Sequence, residues 1–200
     1  MSTVFLPVET LTGRLFAPLS WTKQAALVVA FSLFVALSAQ VVIPNPFSDV
    51  PITGQTFAVL LTGALLGSRL GALALAAYLL EGALGLPFFF GGRGGILHLI
   101  ASPTAGYLWS YPLAGFVAGL LAERGWDKRF LTAAAAMAIG SVVILAGGFA
   151  WRAAMLMSPA QAFATSVVPF IIGDVIKIAL AAAALPLGWS LLGRKPQAKR

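Results

Sequence analysis

The 200-residue sequence contains no cysteine, a single histidine and few charged side chains. Without cysteine, the chain forms no disulfide bond, no thiolate metal site and no thiol nucleophile. Charged residues make up only 10% of the sequence, whereas soluble domains carry about 25%. This scarcity excludes a disordered chain, a nucleic-acid-binding domain and an ordinary soluble enzyme.

Hydrophobic residues are abundant instead, and 60% of 200 residues amounts to 120. That number suffices for six membrane spans at roughly 20 residues each. The sequence therefore predicts an all-α membrane protein, a single bundle of six transmembrane helices that forms one integral-membrane domain over residues 1–200. The apolar runs that define the predicted spans cover residues 24–43, 54–67, 70–86, 104–122, 130–150 and 167–192.

The basic residues orient this predicted bundle, because lysine and arginine accumulate in cytoplasmic loops. Arg93 and Arg152 fall in one set of loops, and Lys177 lies within the last span. The other set holds the remaining ten, namely Arg14, Lys23, Arg69, Arg124, Lys128, Arg129, Arg194, Lys195, Lys199 and Arg200. This bias predicts two cytoplasmic termini and places the loops 44–53, 87–103 and 151–166 outside. The net charge of +7 then reflects topology and not nucleic-acid binding.

Three ionisable residues lie inside the predicted spans. Asp174 and Lys177 are spaced i,i+3 on one helix face, with Asp174 about seven residues, or roughly 10 Å, into the last span. An ionisable group at such depth costs about 2.5–3.5 kcal/mol, so it usually faces a cavity or a partner. We therefore favour a ligand-binding pair over one that merely neutralises itself. Glu81, midway along the third span, is a further candidate ligand or a partner of Lys177.

The connection 87–103 carries four glycines around Arg93. Glycines let the backbone approach a ligand closely, and a guanidinium binds a carboxylate through two hydrogen bonds. His98 follows in the same connection, but no second ligand lies at metal-binding spacing. We expect His98 to form a hydrogen bond within the loop, and we predict neither a metal site nor a cofactor.

Glycines four residues apart within predicted spans favour close contact between helices. The pairs with this spacing are Gly63/Gly67 and Gly115/Gly119.

Five short motifs occur in order along the chain, and together they are specific. They are Val50-Pro51-Ile52-Thr53-Gly54-Gln55-Thr56-Phe57, Gly85-Leu86-Pro87, Gly91-Gly92-Arg93-Gly94-Gly95, Pro103-Thr104-Ala105-Gly106-Tyr107-Leu108 and Gly173-Asp174-Val175-Ile176-Lys177. On these residues the sequence resembles the BioY family, the biotin-specific substrate-binding (S) components of energy-coupling factor (ECF) transporters. The resemblance extends over about residues 24 to 190.

The resemblance implies a six-helix S component in the cell membrane that captures biotin from outside. Such a protein works with a membrane coupling (T) protein and two cytoplasmic ATPase subunits. The chemistry of biotin fits these residues: Asp174 would accept from the ureido N–H groups, and Lys177 would donate to the ureido oxygen or keep Asp174 ionised. Arg93 would bind the carboxylate, and Phe90 and Trp151 would cover the apolar rings. Glu81 stays a further candidate. We predict that Ala26 and Ala30, a small-xxx-small pair in the cytoplasmic half of the first span, dock the T protein, and the resemblance supports this. Packing of the two alanines against another span of the same chain is the alternative.

Two alternatives stay open. The first is an S component for a different vitamin, and the second is an intramembrane enzyme or a passive pore. The sequence lacks a Walker motif, a Gly-x-Ser-Gly serine protease motif with a histidine partner and a His/Glu metalloprotease motif. We therefore predict that the chain itself is not an enzyme and that ATP hydrolysis belongs to partner subunits.

Overall fold

A computed structural model describes residues 10–17, 19–155 and 158–193. Its helices are α1 (Leu11–Phe16), α2 (Trp21–Ala39), α3 (Gln55–Leu66), α4 (Ser68–Ala83), α5 (Ile96–Ala101), α6 (Ala105–Glu123), α7 (Phe130–Ala154), α8 (Pro159–Ser166) and α9 (Ile171–Gly193). Between α2 and α3 lies a short antiparallel hairpin, β1 (Val42–Ile43) and β2 (Ile52–Thr53). Single 3₁₀ turns occupy Phe90–Gly92, Trp126–Lys128 and Val168–Phe170.

Four stretches of the described chain are long and apolar enough to cross a membrane. They are Trp21–Ala39, Ala105–Glu123, Phe130–Ala154 and the stretch Pro159–Gly193, which includes α8 and α9. Helix α3 is also apolar but has only 12 residues, and α4 has 16. The structure therefore shows a helical chain with four stretches that can cross a membrane. The predicted number of six crossings stays a prediction, because α3 and α4 are shorter than these four stretches.

The first predicted span extends beyond its helix. Helix α2 ends at Ala39, and Val42–Ile43 pair with β2 as an extended strand. Two physical reasons explain the early end. β-Branched residues favour extended backbone, and the residue before Pro44 is disfavoured in the α conformation.

The loops predicted to lie outside contain more helix than the sequence indicated. The predicted loop 151–166 is wrong, because α7 continues to Ala154 and α8 follows. Ser158 caps α8 by accepting a hydrogen bond from the backbone N–H of Gln161, whose side chain returns to the backbone of Ser158. This capping box is a helix-start signal that the apolar pattern obscures. The connection 87–103 likewise contains α5.

Helix α6 lies against α3, α4 and α7, and small residues allow that close packing. A Cβ atom on Gly63 would collide with the backbone of Gly115, and one on Gly119 would collide with the backbone at Gly67. The two predicted glycine pairs therefore pack against each other, which confirms their role as helix contacts.

Side-chain contacts identify which loops share an end of the bundle. At one end, the Trp189 indole N–H donates to Asp127 Oδ2 at 2.6 Å, and the Arg14 guanidinium lies 5.4 Å from the Trp189 ring centroid. Helix α1 and the end of α9 thus meet at this end. The hairpin, the connection between α4 and α6, and α8 lie at the other end. Four of the ten basic residues predicted to lie on the cytoplasmic side are outside the described residues, namely Arg194, Lys195, Lys199 and Arg200.

Candidate ligand-binding site

A cavity of about 460 Å³, including the open space at its mouth, lies between the hairpin and helices α3, α6, α7 and α9. Most of its lining is apolar or aromatic, with a few polar groups, which is the usual composition of a small-molecule site. The lining residues are Val50, Pro51, Thr53, Gln55, Thr56, Phe90, Thr104, Tyr107, Leu108, Tyr111, Leu145, Phe170, Asp174 and Lys177.

The predicted pair Asp174 and Lys177 forms the charged part of this lining. Lys177 Nζ lies 3.5 Å from Asp174 Oδ1 and donates a hydrogen bond to Thr56 Oγ1 at 2.8 Å. The Ser141 hydroxyl donates to the other carboxylate oxygen, Asp174 Oδ2, at 2.6 Å. A hydrogen bond that α3 accepts and one that α7 donates therefore orient the ion pair on α9, in which Asp174 is buried and Lys177 partly buried, toward the cavity.

Asp174 lies less deep in its helix than the sequence predicted. Helix α9 begins at Ile171, so Asp174 occupies the first turn, because a 3₁₀ turn takes up residues 168–170. A carboxylate in the first turn interacts favourably with the positive end of the helix dipole. The position thus lowers the cost of a buried negative charge beside the cavity.

Tyrosine and phenylalanine rings form the apolar wall. The Tyr107 hydroxyl donates to the Ser166 carbonyl at 2.7 Å, and its ring lies 5.8 Å from that of Phe170. Tyr111 stacks on Tyr78 at a centroid distance of 6.4 Å. With both rings of α6 held in this way, the cavity presents fixed aromatic faces suited to an apolar ring.

The glycine-rich connection contributes Phe90 to the lining but not Arg93. Phe89 is fully buried, while Arg93 is exposed, with its guanidinium carbon 4.4 Å from the Phe90 ring centroid. His98 Nε2 and Thr104 Oγ1 form a hydrogen bond at 3.1 Å, in agreement with the expected loop role of His98. Arg93 therefore contacts an aromatic side chain that lines the cavity, while Arg93 itself lines a separate surface depression with Leu97 and His98.

Besides Arg93, two predicted site residues lie outside the lining. Glu81 lies in the last turn of α4, not midway along a span, and its Oε2 atom is buried without a hydrogen-bond partner. The Trp151 indole N–H donates to the Ser102 carbonyl at 3.0 Å, and its side chain packs at Gly106. The position of Trp151 supports the loop that precedes α6.

Sequence reasoning missed several lining residues. Thr56 and Tyr107 belong to two of the five quoted motifs, and Tyr111 follows Tyr107 by one helical turn. Two tyrosines on one face of an apolar span were a signal for a ligand wall. Ser141, which bonds to Asp174 without lining the cavity, gave no such signal, because a lone serine in a helix usually bonds to its own backbone.

The predicted docking residues Ala26 and Ala30 are both exposed on α2. No group of three histidine, aspartate or glutamate side chains among the described residues is placed to hold a metal ion.

A family model and individual proteins similar to this chain both point to one family. The BioY family model matches residues 9–194. The probable biotin transporter BioY of Pyrococcus horikoshii is 39% identical over 159 residues, covering 80% of this chain and 91% of that protein. The biotin transporter BioY of Rhizobium etli is 39% identical over 183 residues, covering 86% of this chain and 97% of that protein.

A solved structure shares the fold. It is the 2.1 Å crystal structure of the S-component for biotin from an ECF-type ABC transporter, with a TM-score of 0.76 and 23% sequence identity. The alignment covers 87% of this chain and 93% of that chain. Because the family model matches nearly the whole chain, this chain belongs to the BioY family. With its several apolar helices, it is a multi-pass protein of the cell membrane.

Proposed function

We propose that this chain captures biotin outside the cell and delivers it across the membrane as the S component of an ECF-type transporter. One observation carries the proposal. An ion pair of buried Asp174 and partly buried Lys177 faces an otherwise largely apolar and aromatic cavity in a chain of the BioY family. Biotin has a polar ureido ring, apolar fused rings and a carboxylate tail, and each part has a matching group here.

The ureido ring offers two N–H donors and one carbonyl acceptor. Asp174 accepts from the N–H groups, while Lys177 donates to the carbonyl oxygen or keeps Asp174 ionised. Tyr107 and Tyr111 cover the apolar rings from α6, and Phe90 covers them from the connection above. Charge-assisted hydrogen bonds in a dry site are stronger than neutral ones, so this end of the ligand supplies most of the affinity.

The carboxylate of biotin then extends toward the rim, where Arg93 is the matching cation. Arg93 lies 4.4 Å from the Phe90 ring, so its guanidinium is close to the cavity mouth without lining it. A guanidinium is the side chain best suited to hold a carboxylate through two hydrogen bonds. Trp151 acts indirectly in this scheme, through the loop that it supports, and Glu81 keeps no assigned contact.

The proposal includes six transmembrane helices with both termini in the cytoplasm. Support comes from the basic-residue bias and from the contact between α1 and the end of α9 at one end of the bundle. Since the chain has no native cysteine, single Ser102→Cys and Ser2→Cys variants can be labelled with an impermeant thiol reagent in intact cells. We expect labelling at position 102 only, and labelling at position 2 only would reverse the topology.

The chain is proposed to work with a T protein and two cytoplasmic ATPase subunits, and to have no enzymatic activity or cofactor of its own. The absence of a Walker motif from the sequence supports this division of labour. Ala26 and Ala30 form the proposed docking surface for the T protein, and their exposure on α2 leaves room for the approach of another helix.

Retention of radiolabelled biotin by the purified protein tests the proposed function. Unlabelled biotin should displace the label, whereas thiamine, riboflavin and folate should not. The Lys177→Ala variant, purified in the same way, provides the control for label held by detergent micelles. Failure of the wild-type protein to retain biotin, or displacement by another vitamin, would contradict the proposal.

A further inference from the structure

The side chain of Gln40, just after α2, bonds to the backbone of the glycine-rich connection at several points. Its amide oxygen accepts a hydrogen bond from the Gly92 N–H at 2.9 Å. Its amide nitrogen donates to the carbonyl oxygens of Phe89 at 3.2 Å and Pro87 at 3.4 Å, as well as to Ala36 at 3.0 Å. One side chain thus bonds to a backbone N–H group and to backbone carbonyl oxygens of a segment that lies about 50 residues further along the chain.

The segment that Gln40 holds has little conformational preference of its own. Gly91 and Gly92 adopt positive φ angles of 64° and 72°, which glycine tolerates but does not enforce. A backbone hydrogen bond from Phe89 to Arg93, at 2.8 Å, closes the turn between them. Because glycine loses the most conformational entropy on ordering, the turn needs contacts from outside to stay in one conformation.

The two side chains that this segment directs to the site lie next to the atoms bound by Gln40. Phe90 follows the carbonyl of Phe89 and lines the cavity, whereas Arg93 follows Gly92 and stands over the Phe90 ring. Gln40 itself does not line the cavity. Its contacts therefore act on Phe90 and Arg93 and not on the ligand.

We propose that Gln40 is a positioning residue that holds Phe90 and Arg93 over the cavity and thereby determines how much Arg93 contributes to carboxylate binding. This inference rests on the proposed function, in which the ligand is biotin. It predicts that loss of the Gln40 amide weakens ligand binding mainly while Arg93 is present.

A double-mutant cycle tests this dependence. Gln40→Met keeps the length of the side chain and removes its hydrogen bonds. We expect Gln40→Met to weaken biotin binding about tenfold in the wild-type background and less than twofold in the Arg93→Ala background, as measured by calorimetry. Combined with Ser141→Ala, which removes a hydrogen bond to Asp174 and leaves measurable binding, Gln40→Met should keep its full effect. An equal loss in all three backgrounds would overturn the proposal.

Ser38→Ala is the matched control. The Ser38 hydroxyl donates to the Phe34 carbonyl at 2.8 Å within α2 and has no hydrogen bond to the glycine-rich connection. We expect biotin affinity within twofold of wild type for this variant. A tenfold loss in Ser38→Ala would show that any change at this end of α2 disturbs the site, and would contradict a specific role for Gln40.

Hydrogen exchange separates failure of this inference from failure of the proposed function, because it needs no ligand. In Gln40→Met, we expect the Gly92 amide to exchange at least tenfold faster than in wild type, with unchanged exchange in the core of α6. If the wild-type protein retains no biotin, the proposed function fails while this measurement still decides whether Gln40 orders the segment. Unchanged exchange at Gly92 would overturn the positioning role.

Discussion

The Arg152 guanidinium donates a hydrogen bond to Asp49 Oδ2 at 2.7 Å and joins the end of α7 to the hairpin loop. The Arg152 side chain is 8% exposed and the Asp49 side chain 52% exposed, so the cation is buried and the anion closes over it. Val50 and Pro51, which follow Asp49, line the cavity. The ion pair therefore ties the cover of the candidate site to the helix bundle.

Asp49→Asn should release biotin faster. A buried cation left without its partner weakens the closed position of the hairpin, and such changes act mainly on dissociation. Because Asp49 is half-exposed, we expect a dissociation rate about 3- to 30-fold higher in stopped-flow displacement experiments. Asp49→Glu, which keeps the charge, serves as the control. Equal dissociation rates for the two variants would show that the ion pair does not retain the ligand.

Asp174→Asn and Lys177→Ala should each weaken biotin binding strongly while the protein still inserts. Removal of one partner from a buried, hydrogen-bonded charged set costs about 2–5 kcal/mol, or about 30- to several-thousand-fold in affinity. Ser141→Ala should cost about fivefold, since one hydrogen bond contributes about 1 kcal/mol. Calorimetry on purified variants measures all three. Wild-type affinity in both charge variants would make the pair structural.

Arg93 should distinguish biotin from its methyl ester. The ester carries no negative charge, so wild-type protein should bind it about 10- to 100-fold more weakly than the acid, because a charge-assisted hydrogen bond contributes about 1.5–3 kcal/mol. Arg93→Ala should remove most of that difference when both ligands are titrated against the same preparation. A preference for the acid that survives in Arg93→Ala would move the carboxylate contact to another cation.

Replacement of both Ala26 and Ala30 by leucine should abolish assembly without affecting ligand binding. Two leucine side chains on an exposed helix face prevent the close approach that small residues allow. We expect the isolated variant to bind biotin normally but to lose co-purification with its partners and to lose uptake. Reduced thermal stability and weaker biotin binding before any partner is added would instead indicate packing within the chain.

The stability of the protein should fall on acidification because of His98. Burial, with a contribution from the nearby Arg93, lowers the pKa of His98 below its ordinary value of 6.5. The folded protein therefore binds this proton less readily than the unfolded chain, so stability is full above pH 6.5 and declines as the pH falls below it. Thermal unfolding between pH 7.5 and 5 should show a steeper decline in wild type than in His98→Gln. Parallel curves would exclude this contribution.

The sequence by itself determined the class of the molecule. Hydropathy is a property of consecutive residues, so the apolar runs indicated where the long helices lie, with ends shifted by a few residues. An i,i+3 spacing is also local, so Asp174 and Lys177 were predictable as a pair on one face. The glycine pairs were predictable as packing sites for the same reason, since only glycine permits such close contact between helices.

Only the tertiary structure decided which residues, distant in sequence, contact the residues that local patterns had identified. Thr56 reaches Lys177 across 121 residues of chain, and Asp49 reaches Arg152 across 103. Such contacts depend on how each helix is rotated and which helices are neighbours. The structure likewise placed Phe90 in the lining, Arg93 outside it against the Phe90 ring, and Trp151 behind the loop. Hydropathy and spacing contain no information on rotation or neighbours, because packing between distant segments sets both.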